Sequence, residues 1–317
     1  MSYDTKDGLK ALEIVFKRFV FGLLSVFLTT GPRKAAGKQT PDFQKRKRIL
    51  FLRFDKLGDM IVSLSVFETL AQVAPQLEVE VLASPANCGI IAHDSRVKKI
   101  WLYSKRPWRD WKTLRVLRDR NYSAVVDMVC LDSVTSLFLS QYIGRRVERV
   151  GIGKKRFAKY YTGNVTLNES NYEHIIESSL RVLTHLGIPE EQFVHQAPLK
   201  LPEQAVDDAE SFVSSLKQGE SQALVVGVNI SAGKPNRIWQ ENNYVALLDL
   251  LHESKTKLII IILCAPNDRE VALRICKGAG ERVSLVPDGL NILQVSAIIA
   301  RCDILRWYIL RANMKFR

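Results

Sequence analysis

Asp55, Gly58 and Asp59 fall within Asp55-Lys56-Leu57-Gly58-Asp59, a short polar turn between an apolar run and a helical pattern. The run Ile49–Leu52 is unbroken, as in a strand buried on both faces. Beyond the turn, Met60, Leu64, Phe67, Ala71 and Ala74 recur at the helical period, with Glu68 the single charge up to Val73. A strand, a Gly-containing turn and a helix make the first half of a βαβ unit. Ligands in such sheets sit at the carboxyl ends of strands, so these three residues lie where chemistry would be done. Gly58 lets a ligand or another backbone approach closely. The competing reading makes Asp59 an N-cap, accepting a hydrogen bond from open helix N–H groups.

Two further stretches could hold phosphate and sugar. Ser231-Ala232-Gly233-Lys234-Pro235-Asn236-Arg237 follows the apolar strand pattern Ala223–Ile230 and precedes a helix. A small-residue turn there can present N–H groups and a cation to a phosphate. It lacks the spacing of a P-loop, and Asn229 stands where a nucleophile elbow needs glycine. Asp268, after the next strand, is placed to accept both hydroxyls of a nucleotide ribose or, alternatively, to cap a helix. Arg145, Arg146, Arg149, Lys154, Lys155, Arg156 and Lys159 crowd one region, interleaved with Phe157, Tyr160 and Tyr161. Basic residues with aromatics suggest nucleic acid, but no nucleic-acid motif accompanies them. A grip on an anionic sugar acceptor, or a solvated surface, accounts for them too. No D-x-D occurs, Asp207 and Asp208 sit on adjacent helical positions, and no metal site is expected. His174 reads as a capping or packing residue.

The elements that must position these residues alternate throughout. Strands are expected at Ile49–Phe54, Val79–Ala83, Lys99–Tyr103, Ser123–Met128, Val147–Gly151, Ala223–Ile230, Leu258–Cys264 and Arg282–Val286. Helices are expected at Met60–Val73, Trp108–Arg120, Ser133–Ile143, Tyr172–Leu186, Glu241–Glu253, Asp268–Lys277 and Ile292–Ala300. Gln196–Pro202, with two prolines, reads as a connection between domains. Two runs of βα alternation mean an α/β chain of two Rossmann-like halves, as 317 residues allow.

The net charge of +13 points to an anionic partner, and residues 1–48 supply +7 of it, eleven Lys/Arg against four Asp/Glu. Within them Leu9, Leu12, Phe16, Phe19, Val20, Leu23 and Phe27 recur at helical spacing, but the uncharged part is too short to span a bilayer. A helix in the membrane interface followed by a basic linker is one reading; a helix packed on the first domain is the other. Five scattered cysteines with no C-x-x-C read as buried thiols in a reducing compartment.

Taken in order, Ile49-Leu50…Arg53…Asp55…Gly58-Asp59, Val125-Val126-Asp127, Arg149-Val150-Gly151, His174, Leu186-Gly187-Ile188-Pro189, Arg237-Ile238-Trp239 and Ala300–Ile304 resemble the family 9 glycosyltransferases, the lipopolysaccharide heptosyltransferases. The resemblance runs from about Arg48 to Ile304. It implies a GT-B fold, two Rossmann-like domains facing a cleft: residues 1–47 an amphipathic helix and basic linker, 48–197 the acceptor domain, 198–317 the nucleotide-sugar domain. It implies Asp59 as catalytic base, with Asp55, Gly58, Arg145, Arg146, Lys154, Lys155 and Arg156 toward the acceptor. Ser231, Lys234, Arg237 and Asp268 are implied for the donor. The implied partners are ADP-heptose or another nucleotide sugar, an anionic glycolipid and the inner-membrane surface, with no cofactor and no nucleic acid. One departure stands out. The family follows Cys-Asp-Ile with a strand end, an Asp-Thr-Gly-x-x-His turn and a helix. Here Leu305-Arg306-Trp307-Tyr308-Ile309-Leu310-Arg311 follows instead. The expectation is a truncated, incomplete second domain, a missing closing strand, uncovered apolar faces on Leu258–Cys264 or Ile292–Ala300, and slow or no turnover of a nucleotide sugar. The alternative to a working transferase is an inactive remnant that only binds acceptor lipid or membrane.

Overall fold

The computed structural model describes residues 46–167, 174–220, 222–232, 238–254, 256–279 and 283–307. The expected N-terminal helix, Lys234, Arg237 and everything after Trp307 lie outside these residues. The chain divides into two compact units, Met1–Lys200 and Leu201–Arg317, and both carry an all-parallel sheet.

The first unit runs β1 (Arg48–Arg53), α1 (Leu57–Val73), β2 (Glu78–Ala83), β3 (Lys99–Leu102), α2 (Pro107–Asp119), β4 (Ala124–Asp127), α3 (Val134–Ile143), β5 (Glu148–Ile152) and β6 (Gly163–Val165). Its strand order is β3-β2-β1-β4-β5-β6. β1 lies inside the sheet, with Ile49 opposite both Val79 and Ala124, and Ile49–Leu52 are fully buried as the unbroken run requires. The order reverses between β1 and β4, and the crevice outside their carboxyl ends is where an open α/β sheet takes a ligand. The expected helix Tyr172–Leu186 is instead two short pieces, α4 (Ile175–Leu180) and α5 (Val182–Leu186), parted at Arg181. Gly187, at φ 101°, ends the second in the left-handed conformation. His174 caps α4, its Nδ1 accepting from the Ile176 N–H at 3.3 Å.

The second unit runs α6 (Glu203–Lys217), β7 (Leu224–Asn229), α7 (Glu241–His252), β8 (Leu258–Leu263), α8 (Arg269–Ala279), β9 (Val283–Leu285), α9 (Ile292–Ala300) and β10 (Ile304–Trp307), in sheet order β10-β7-β8-β9. Two expectations are corrected here. Ile304–Trp307 does form a strand, parallel to β7 with Ile304 opposite Val226. The apolar faces expected to be bare are covered: Ala205, Ala209 and Val213 of α6 pack with Ile261 and Leu263 of β8 and with Ala297 and Ile298 of α9. All five cysteines are free and half-buried rather than buried. No helix among the described residues is long and apolar enough to cross a membrane.

Candidate active site

At the carboxyl end of β1, Arg53 points inward and is fully buried. Its guanidinium donates to the Met128 carbonyl beyond β4, to Ser63 Oγ at 2.8 Å and to Asp55 Oδ2 at 3.2 Å. The Ser63 hydroxyl in turn donates to the Asp59 carbonyl at 2.8 Å. One cation thus ties the β1 turn, the first turns of α1 and the loop after β4 into one block. Asn87, also fully buried, braces the turn from the other side: its Nδ2 donates to the Arg53 carbonyl at 3.0 Å, while its Oδ1 accepts from the Ser84 N–H at 2.9 Å. Sequence reasoning missed Asn87; a polar residue just past a buried strand was the available signal.

α1 begins at Leu57, with Lys56 at the cap position and no side-chain cap bond. Asp59 is therefore the third helical residue, and the N-cap reading of it is corrected. Its half-buried carboxyl group lies at hydrogen-bonding range of the Asp55 carboxyl. Burial raises the Asp55 pKa, Arg53 opposes the rise and the Asp59 charge adds to it. Asp55 therefore keeps its proton to higher pH than an ordinary carboxyl and, while protonated, can donate to Asp59. Asp55 Oδ1 is buried with no protein partner. A group brought to this turn finds the half-buried Asp59, whose backbone is held by Ser63. Cys130 lies beside Arg53 and the two carboxylates, and burial raises its thiol pKa.

The raised pKa has a measurable consequence. An acid whose folded pKa exceeds its unfolded one binds more protons when folded, so its contribution to stability is full below the unfolded pKa and is lost as pH rises through the folded one. Asp55→Asn removes that titration. The stability of Asp55→Asn relative to wild type, from denaturant titrations across the acid range, should increase as pH rises. A flat difference would mean an ordinary carboxyl.

A Cβ added at Gly58 would meet no atom within 4 Å, and Gly58 does not need a positive φ. Nothing in the protein demands glycine here. Gly58→Ala should therefore leave the melting temperature unchanged or slightly raised, alanine being the better helix former by roughly 1 kcal/mol. A loss of acceptor affinity in that variant would assign the glycine to ligand approach; unchanged affinity would remove Gly58 from the site.

The basic cluster separates in space. Lys154 is buried, its Nζ 2.9 Å from Asp127 Oδ2 and donating to the Val129 and Leu131 carbonyls at 2.6 and 2.9 Å. All its protons have internal partners. Asp127 also accepts from Tyr161 Oη at 2.5 Å, and burial with this carboxylate drives the phenol pKa up. Arg149, fully buried, donates to the Gly144 and Arg145 carbonyls that close α3. Arg145 and Arg146 are exposed between α3 and β5, at the amino ends of the strands and so on the edge opposite Asp59. Lys155 and Arg156 are exposed at the carboxyl edge, where Asp132 accepts from both backbone N–H groups at 3.2 and 3.0 Å. Of the expected acceptor cations, only Lys155 and Arg156 share an edge with Asp55 and Asp59 and have exposed side chains.

In the second unit, Ser231 follows β7 at the reversal between β7 and β10. Its Oγ accepts from the Ala265 N–H at 2.7 Å, pinning the loop after β8. Asp268 ends a short 3-10 turn, Pro266–Asp268, that runs into α8. Its half-buried carboxylate takes no hydrogen bond from the described residues, so it caps nothing.

Two doubly wound parallel sheets, each with polar loops at its carboxyl edge, make the α/β framework of the GT-B glycosyltransferases. Residues 111–305 match the family model of glycosyltransferase family 9 (heptosyltransferase), more than half of the sequence, and the chain belongs to that family. The match begins after the Asp55–Asp59 turn. Among solved structures, the family 9 glycosyltransferase of Veillonella parvula superposes with a TM-score of 0.69 at 17% identity, covering 84% of this chain and 76% of its own. The E. coli ADP-heptose lps heptosyltransferase II gives 0.63 at 17% identity, covering 81% and 78%. The E. coli heptosyltransferase WaaC with ADP gives 0.62 at 18%, covering 81% and 80%. At these identities the likeness is one of fold. A search of curated proteins gave no match.

Proposed function

We propose that this chain is an inverting glycosyltransferase that moves heptose from ADP-heptose to the lipopolysaccharide inner core. The observation that carries the reading is the Asp55–Asp59 pair: a half-buried Asp59 that caps nothing, its backbone fixed through Ser63 and Arg53 at the strand-order reversal. Family membership supports the reaction class. The fold shared with the E. coli heptosyltransferase WaaC, solved with ADP and with ADP-2-deoxy-2-fluoro heptose, supports the donor.

In this reading Asp59 takes the proton from the acceptor hydroxyl as that oxygen attacks the anomeric carbon in line, with inversion. The transition state is oxocarbenium-like, as in glycoside hydrolysis. Transfer of the proton late in the step suits an ordinary carboxylate base. Ser231, Lys234 and Arg237 stabilise the departing ADP without a metal, and Asp268 takes the ribose hydroxyls. Asp55, Lys155 and Arg156 face the acceptor, while Lys154 holds the loops that present them. Residues 48–197 carry the acceptor and 198–317 the donor, with residues 1–47 resting on the cytoplasmic face of the inner membrane. ADP release from ADP-heptose, dependent on a heptose-deficient core lipid, tests the reading. Turnover of another nucleotide sugar with none of ADP-heptose would move the substrate elsewhere within the family; no turnover of any would overturn it.

A further inference from the structure

α2 shows an outward face that the proposed reaction does not use. Trp108 is 78% exposed and Trp111 54% exposed. Trp108 lies about half a turn of azimuth from Leu117, nine residues on, and Leu117 is fully buried against the sheet. The indole at Trp108 therefore stands on the crown of the helix, away from the core. Trp111 sits on its flank, 6.0 Å from the Tyr142 ring.

From Lys105 to Arg115 the exposed charges are of one sign; the exposed acid of α2, Asp119, ends the helix about three turns beyond Trp108, 3.1 Å from Arg118. Lys105, Arg106, Arg109, Lys112 and Arg115 are all exposed. The acid among them, Asp110, is buried and turned inward: it accepts from the Ser104 N–H at 3.0 Å, Ser104 Oγ at 2.8 Å and the Arg106 N–H at 3.0 Å. That carboxylate fixes the turn displaying Lys105 and Arg106 and adds no exposed negative charge. Val116, also exposed, adds aliphatic surface to the same side of the helix.

We propose that α2 docks this protein on an anionic phospholipid surface, with Trp108 entering the headgroup layer and the surrounding cations meeting lipid phosphates. Indole rings partition to the bilayer interface, their apolar body inside and N–H in water. A cation near an anionic leaflet is worth about 1 kcal/mol, roughly fivefold in affinity. A convex helix crown suits a plane of headgroups; a nucleic-acid strand calls for a groove in which bases stack. The start of α2 follows β3, so Trp108 lies toward the carboxyl edge, the same edge as the Asp55–Asp59 turn. Docking there brings that edge to the lipid. The inference stands on α2 alone, whichever sugar the chain transfers.

The test uses the full chain with phosphatidylcholine vesicles, with and without phosphatidylglycerol. Wild type should sediment with the anionic vesicles and lose binding as salt rises. Lys112→Gln with Arg115→Gln should weaken binding roughly 25-fold, two cations at about fivefold each. Nitroxide-labelled lipid should quench wild-type tryptophan emission, and Trp108→Ser should remove much of that quenching. These side chains are exposed, so melting temperature and far-ultraviolet dichroism should match wild type. Anionic-vesicle binding unchanged in the double variant, which would place all contact elsewhere in the chain, overturns the proposal. So does quenching unchanged in Trp108→Ser. Loss of single-stranded RNA binding in the double variant, with vesicle binding intact, would assign the face to nucleic acid instead.

Discussion

Asp59→Asn is expected to lower turnover of ADP-heptose by roughly 100-fold or more, the usual scale for losing a general base, while the melting temperature barely moves. Asparagine keeps the shape and one acceptor oxygen for the Asp55 hydroxyl. It also keeps its place in the first turn of α1, whose cap position belongs to Lys56. What it cannot do is receive a proton. The loss should fall on kcat, with KM for the donor near wild type. Asp55→Asn is the companion measurement. It leaves the proposed base and removes a half-buried carboxyl held by Arg53, so its cost should be smaller and lie partly in acceptor binding. Near-normal turnover by Asp59→Asn would return that carboxylate to a structural role.

The second large effect is on stability. Lys154→Met should lower the free energy of unfolding by about 3–5 kcal/mol, the cost of stranding one partner of a buried ion pair. Asp127 would keep the Tyr161 hydroxyl but lose its cation, and the Val129 and Leu131 carbonyls would lose their donor. Lys155→Ala and Arg156→Ala, at exposed positions one and two residues on, should stay within about 0.5 kcal/mol of wild type and weaken acceptor binding. Denaturant titration separates the three. A Lys154→Met protein as stable as wild type would mean that the ammonium does not hold the loop.

That contrast marks where the sequence stopped being readable. Arg145 to Lys159 form one basic stretch on paper, yet β5 runs through its middle and carries the chain from one edge of the sheet to the other. Charge density along a sequence is blind to such a reversal and to which lysine a buried aspartate will claim. The β1–turn–α1 unit was legible because a buried strand, a Gly-containing turn and an apolar helical period agree with one another. α6 was not. Its inner face, Ala205, Ala209 and Val213 with Phe212 and Leu216 packed beside them, does recur at helical spacing, but it follows prolines that suggested a connector. β6 is three residues long, below the length at which alternation can register. β10 was obscured by comparison with how relatives continue, although Ile304-Leu305-Arg306-Trp307 has the residue types of a strand.

The order β10-β7-β8-β9 also has a consequence during synthesis. β7, the first strand of its unit, receives its outer neighbour last: the Val225 N–H donates to Asp303 Oδ2 at 2.8 Å across 78 residues of sequence. In the first unit β1 has both neighbours by Asp127. A nascent chain emerging residue by residue can thus assemble its first sheet while the second still shows one side of β7 as an unpaired apolar edge. Such an edge recruits other strands, and closing it demands a contact of high sequence separation, which is slow to form. Between emergence of Asn229 and of Trp307, then, one edge of β7 stands open to other strands, and a chaperone at the ribosome exit would shield it.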